Sequence, residues 1–310
     1  MCKCGLRLYQ SSVATYRLLF GLDQHRQTLV LNIYLYQKPG SGSGGWNSNA
    51  TPAQSPVVGS HYSEPLKLTM PFTFSHPAIV LPLTKYTGRH LSLTGLIIGS
   101  LTPDFEYFFR MKVESNFSHS IWGLFYFNLP VGLLLAFLFH NIIRNTLYDN
   151  LPLAFRNRLE TFKTFNWNNY FRQSYFAVIV SILFGATSHL LWDSFTHIHG
   201  YSVEAISVLR QSLKVGGQSI PFYKLLQHFS SIIGGLFIAF AFYNLPTHQV
   251  TKQKISVQYW IVILSIIILV VFVRLAFKME KNLLGELIVT TISAILIALT
   301  IAPSLTRNKI

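Results

Sequence analysis

The chain has 310 residues, of which half are apolar and only 12% charged, with a formal net charge of +14. Its mean hydropathy is +0.38. So little charge excludes an ordinary soluble domain, which needs a charged surface, and the Lys and Arg residues fall mainly between apolar runs, where they anchor helix ends at lipid head groups rather than forming a nucleic-acid footprint. The only cysteines, Cys2 and Cys4, are too close together and too near the terminus to staple a fold.

Residues 1–69 differ in character from the rest. Their apolar stretches are broken by Arg17, Asp23 and Arg26, and a Gly/Ser-rich run from Gly40 to Gly45 leads into a Pro/Ser/Asn segment. No core is expected there, and the interrupting charges argue against a cleaved signal peptide in that region. The character changes at Met70, and we expect 1–69 to be a poorly ordered, mis-assigned extension and 70–310 to be the membrane domain.

Beyond Met70 the stretch Leu91–Leu101 is apolar but too short to span a bilayer, and it ends at Thr102-Pro103-Asp104. An interfacial or re-entrant helix fits it. Five longer runs follow, namely Ile121–His140, Tyr175–Phe195, Phe229–Leu245, Val257–Val273 and Leu287–Pro303, which lack Lys, Arg, Asp and Glu apart from one aspartate. At about 1.5 Å per residue each is roughly long enough to cross the hydrocarbon. The expected fold is therefore all-α, a multi-pass helical bundle of about five transmembrane helices preceded by a short helix. The basic residues from Arg144 to Arg172 lean toward a cytoplasmic first loop.

The lone intramembrane aspartate is Asp193, within Ser188-His189-Leu190-Leu191-Trp192-Asp193-Ser194-Phe195-Thr196-His197. His189, Asp193 and His197 stand at i, i+4 and i+8, which drifts only about 80° around a helix, so one face carries all three. A carboxylate in a bilayer costs several kcal/mol unless it is partnered, so Asp193 needs a histidine, a metal or water. An i,i+4 His–Asp hydrogen bond near a helix end would be the plain alternative. Antiparallel first and second spans bring His119 to the same membrane face, and the third span leaves from that face with Gln227 and His228 in its opening turns. Pro103-Asp104-Phe105-Glu106 places two carboxylates just before the first span.

His76, Asp104, His119, His189, Asp193 and His197 together make a mixed N/O set suited to zinc or a similar divalent ion, which would generate hydroxide beside a polarised ester or phosphoryl group. Asp104, His189 and Asp193 are the expected catalytic residues. No phosphate-binding Gly-rich loop, nucleophile elbow or His-Glu-x-x-His helix is present.

The segments Met70–Pro77, Gly99–Glu106, His119-Ser120 and His189–His197 resemble the DUF4184 family of bacterial membrane proteins, over roughly residues 70–310. That family is in turn similar to membrane-bound metal-dependent hydrolases and, more distantly, to zinc-dependent phospholipase C, with its early His, Pro-Asp turn and His-x-x-x-Asp helix. The resemblance implies a bacterial inner-membrane location, maps His76, Asp104, His119, His189 and Asp193 to metal ligands, and maps His197 and His228 less securely. It places Met70 at the start of the family pattern. The expectation is a metal-dependent hydrolase acting on a phosphoester or ester of a lipid-like substrate. The alternatives are a transport or ion-relay protein using Asp193 and the histidines, and a scaffold whose His/Asp pairs join helices.

Overall fold

The computed structural model describes residues 73–87, 90–249, 254–277 and 283–306, so the reading of 1–69 as an extension lies outside the described residues. Among the described residues, five helices are long and apolar enough to cross a membrane: Ile121–Asp149, Trp167–Ala205, Phe222–Tyr243, Val257–Ala276 and Leu284–Thr306. The chain is a multi-pass helical membrane protein. Each span contains most of one predicted run and extends past it, because a helix continues through the interface until a cap or loop residue stops it.

The short helix expected before the first span is present as α1 (Leu93–Gly99), capped by the Ser92 hydroxyl, which accepts from Gly95 N–H. None of its residues is exposed. It lies along the middle of α5 (Trp167–Thr196), a placement that suits the re-entrant alternative. The contact is built from small residues. A Cβ on Gly99 would stand 2.2 Å from the Ile182 carbonyl oxygen, and one on Gly185 would stand 2.4 Å from that of Leu96. In a bilayer, where lipid tails are as apolar as leucine, helices associate through such close backbone approach and through hydrogen bonds. Here Ser92 N–H donates to Ser181 Oγ at 2.7 Å.

After α1, Thr102–Asp104 forms a single 3-10 turn that leads into α2 (Phe105–Arg110). Phe105 and Phe108 of α2 pack with Val131 of the first span and Val289 of the last. Ser293 Oγ also donates to the Phe108 carbonyl at 2.7 Å, fixing α2 to the last span.

The first span, α3 (Ile121–Asp149), contains two π-helical turns, Leu124–Asn128 and Phe139–Ile143. Pro130 follows the first; it has no N–H to donate into the preceding turn, and the wider helix absorbs that loss. Asn128, in that turn, is fully buried and donates its side-chain amide to the Ser118 carbonyl at 2.9 Å. The second turn carries His140, which the sequence alone placed at the end of the span and which is followed by two further turns of helix.

A basic loop containing α4 (Leu153–Lys163) joins α3 to α5. After α5, a short turn α6 (Tyr201–Ala205) leads into an element the sequence reading did not foresee: an antiparallel hairpin of β1 (Ser212–Val215) and β2 (Gln218–Pro221). Gly216 and Gly217 turn it with φ of 58° and 84°, the left-handed geometry that a two-residue hairpin loop requires. The last three spans are α7 (Phe222–Tyr243), α8 (Val257–Ala276) and α9 (Leu283–Thr306). The last helix starts before its apolar run and so includes a buried acid, Glu286, paired with Arg274 of α8 at 3.1 Å.

The α1–α5 contact gives a direct test. Gly99→Ala should destabilise the purified protein by about 1–3 kcal/mol, the usual cost of overpacking, and lower its melting temperature in detergent. Gly235→Ala, where a Cβ meets nothing within 4 Å, should leave it unchanged. Equal melting temperatures for wild type and Gly99→Ala would contradict the packing described.

Candidate metal centre

Four side chains from three segments converge at one end of the bundle. Ligand atoms of Asp104, His119, His189 and Asp193 all lie within 4.8 Å of one another. Asp104 comes from the 3-10 turn after α1, His119 from the turn before the first span, and His189 and Asp193 from successive turns of α5.

The imidazoles point the same nitrogen inward. His189 Nε2 lies 3.1 Å from Asp193 Oδ2 and 3.4 Å from Asp104 Oδ1. His119 Nε2 lies 3.5 Å from Asp193 Oδ2 and 3.4 Å from Asp104 Oδ1. Their outer nitrogens are fixed from behind. His189 Nδ1 meets the Ser100 carbonyl at 2.7 Å, a group that only accepts, so Nδ1 carries the proton in that bond. His119 Nδ1 is held by the hydroxyls of Ser115 and Ser118 at 2.9 and 3.0 Å. Anchoring Nδ1 in this way sets the ring orientation, and on a neutral His189 it leaves the Nε2 lone pair for a ligand, as in histidines that bind metals.

Asp193 faces two ways. Its Oδ2 looks at His119 and His189, while its Oδ1 lies 3.7 Å from His76 Nε2 and 3.6 Å from His197 Nδ1. His76 stacks on His189 with ring centroids 3.7 Å apart. His197 is placed differently from the helical ladder expected for it: α5 ends at Thr196, and His197 has extended backbone with its N–H still bonded to the Asp193 carbonyl. It returns to Asp193 through its side chain rather than by occupying the i+8 position of a continuous helix. His228 is exposed, and neither it nor Gln227 is among the converging ligand atoms.

Among the described residues, two buried atoms at the centre, His189 Nε2 and Asp193 Oδ1, complete no hydrogen bond of good geometry. Such orphans are costly in a low-dielectric interior, and an ion on these atoms would satisfy them. Two carboxylate and two imidazole donors fit zinc or a similar divalent cation.

Without an ion, the charges of the segment outside the spans are adjusted by the same neighbours. Burial opposes the charged form of His119, yet its hydrogen bonds to Asp104 and Asp193 raise it above 6.5. Burial alone would raise Asp104, but the facing His189 and His119 hold it well below the usual carboxylate range. Burial, reinforced by His189, pushes His76 down to about 4, so near neutrality the ring is uncharged with one nitrogen lone pair available. Tyr107, whose ring centroid lies 5.5 Å from that of His119, is raised by burial and by Asp104 and Asp193, so its phenol keeps its proton.

The two carboxylates that the sequence placed together before the first span divide their work. Asp104 enters the cluster. Glu106 instead organises the loop that carries His119: its Oε1 accepts from Asn116 N–H and from Arg110, and its Oε2 accepts from the N–H groups of Phe117 and Ser118. Ser100, Ser115, Ser118, Tyr107 and this role of Glu106 were not foreseen; a Ser-x-x-Ser-His spacing at Ser115–His119 was the available signal.

The sequence matches the family described as Domain of unknown function (DUF4184) over residues 70–304. The chain belongs to the DUF4184 family. No curated protein and no solved structure matches it. The geometry of this DUF4184 protein, and not a characterised relative, therefore carries the functional argument.

Glu106 supplies a pH test. Burial raises a carboxyl, but the backbone N–H groups aimed at Glu106 bring it from 4.5 down to about 2. A depressed carboxyl contributes stability that is present above pH 4.5 and is lost as pH falls toward 2, a contribution on the order of 3 kcal/mol. Glu106→Gln should lower the melting temperature at pH 7 and flatten its fall between pH 5 and pH 3. An unchanged acid-unfolding profile would contradict the role assigned to Glu106.

Proposed function

We propose that this DUF4184 protein is a metal-dependent hydrolase of the bacterial inner membrane, holding a divalent ion, zinc by choice of donors, on Asp104, His119, His189 and Asp193, and cleaving a phosphoester or other ester of a lipid-like substrate. The observation that carries the reading is the convergence of two Nε2 atoms, each fixed through its Nδ1, on two carboxylates, with His189 Nε2 and Asp193 Oδ1 completing no hydrogen bond of good geometry.

When bound, the ion supplies a Lewis acid and brings the pKa of a coordinated water toward about 7. The protein's own groups do the rest. The Ser100 carbonyl and the Ser115 and Ser118 hydroxyls keep the two imidazoles from turning away. His76 and His197, 3.7 and 3.6 Å from Asp193 Oδ1, hold the carboxylate in its orientation toward the two imidazoles. Tyr107, kept protonated, stands near His119 as a donor to a leaving oxygen. His76 and His197 extend the donor set around Asp193.

Exposure supports this reading of access and substrate class. Asp104 and His189 are buried, whereas the side chains of His119 and His197 are 23% and 35% exposed, so the cluster opens on that side. Trp122, Tyr126 and Tyr201, close in sequence to those two histidines, are largely exposed. Exposed aromatic residues of this kind sit at the bilayer interface, which favours a substrate presented by the membrane. With the basic first loop inside, the cluster faces the periplasm.

Zinc analysis of the purified full chain should find bound metal in wild type and at least about tenfold weaker binding in His189→Ala and Asp193→Asn. Because His119 is raised above 6.5 by the carboxylates it must share with the ion, binding should release a proton and tighten as pH rises from 6 to 8. Wild type should hydrolyse phospholipid or ester analogues in mixed micelles only when metal-loaded. Zinc retained equally by both variants would remove the centre, and metal-loaded protein inactive on all such esters would remove the hydrolase assignment.

A further inference from the structure

The other half of the bundle holds a second polar feature unrelated to the metal cluster. A cavity of about 610 Å³ lies between the first, third and last spans and α1, walled by Ile97, Leu138, Ile238, Phe242 and Leu299 among others. That size is within the roughly 300–1,000 Å³ of small-molecule sites. Its wall also carries Arg144, which is 5% exposed and stands roughly 35 Å along the helix from the start of the first span.

Arg144 is solvated but not neutralised. Its Nε donates to Asn145 Oδ1 at 2.9 Å, and its Nη atoms donate to the carbonyls of Phe165 and Lys163 at 2.8 and 3.2 Å. Nη1 also meets His140 Nδ1 at 3.1 Å, and His140 Nε2 meets Thr94 Oγ1 at 2.9 Å. Every one of these partners is a neutral acceptor or relays to one. The nearby carboxylates Asp149 and Glu160 lie 2.6 and 3.8 Å from Lys163 Nζ instead. Among the described residues no carboxylate pairs with Arg144. A buried guanidinium beside an apolar cavity in a membrane span is expensive without an anion, and interhelical basic pockets are known binding places for anionic head groups.

We propose that this cavity holds an acyl chain of an anionic phospholipid taken from the surrounding bilayer, whose phosphate neutralises Arg144. The apolar wall accounts for the chain, the uncompensated guanidinium accounts for the charge, and Arg158 of the loop at that end draws anionic lipid to the same leaflet. The site is independent of the metal cluster, which lies at the opposite end of the first span.

The test is native mass spectrometry of the full chain, stripped of lipid and equilibrated with mixed micelles containing equal phosphatidylglycerol and phosphatidylcholine. Wild type should retain phosphatidylglycerol about fivefold over phosphatidylcholine, as one cation–lipid contact predicts. Arg144→Gln should bring the ratio to about one. Ala241→Trp, which fills the cavity and leaves Arg144 in place, should reduce retention of both lipids while zinc content stays at the wild-type level. Equal retention of the two lipids by wild type, wild-type retention by Ala241→Trp, or retention of added oleate in place of phospholipid would overturn the proposal.

Discussion

The hydrogen bond from His189 Nδ1 to the Ser100 carbonyl is the contact on which the centre depends. It exists because α1 lies against α5 with almost nothing between the backbones, Gly99 and Gly185 having no Cβ to hold them apart. The carbonyl at the end of α1 thereby reaches a ring on α5. The same turn then carries Asp104 into the space that the His189 Nε2 atom faces. Helix packing and ligand orientation are thus one event: whatever separates the two helices also frees the imidazole and withdraws a carboxylate.

Asp193 is the second constraint. An ionised carboxylate in a membrane span needs compensation, and here histidines surround both of its oxygens. Two carboxylates within reach of the same pair of imidazoles are more negative charge than a buried site tolerates without a proton or a cation. His119, raised above 6.5 by the two carboxylates, meets part of that need in the metal-free protein, and a divalent ion would meet it with better geometry. The plain alternative, a single i,i+4 His–Asp bond, leaves Asp104, His119 and the fixed Nδ1 atoms unexplained.

The five spans and the gathering of the cluster at one end of the bundle were legible because apolar run length and antiparallel order determine them with little help from side-chain detail. Asp193 was legible because a lone carboxylate in an apolar run is costly wherever it points, and His119 followed from chain direction. Other parts left no such mark. Ser100 acts through its carbonyl, which every residue has. Glu106 looks like a ligand beside Asp104, and only the three loop N–H groups aimed at it reveal its structural task. His197 keeps its neighbour Asp193 although the helix ends before it, since a side chain can reach back where a helical face cannot. Arg144 reads as an ordinary end-of-span cation until the helix is seen to run on to Asp149 and bury it.

The central claim is that Asp104, His119, His189 and Asp193 form one ion site rather than a hydrogen-bonded junction between helices. X-ray absorption spectroscopy at the zinc edge, on the purified full chain loaded with one equivalent of zinc, tests this most directly. The account predicts a first shell of nitrogen and oxygen near 2.0–2.1 Å, without sulfur, and with the outer-shell scattering of about two imidazoles. A shell of oxygens alone, or a spectrum identical to that of His189→Ala, would contradict it.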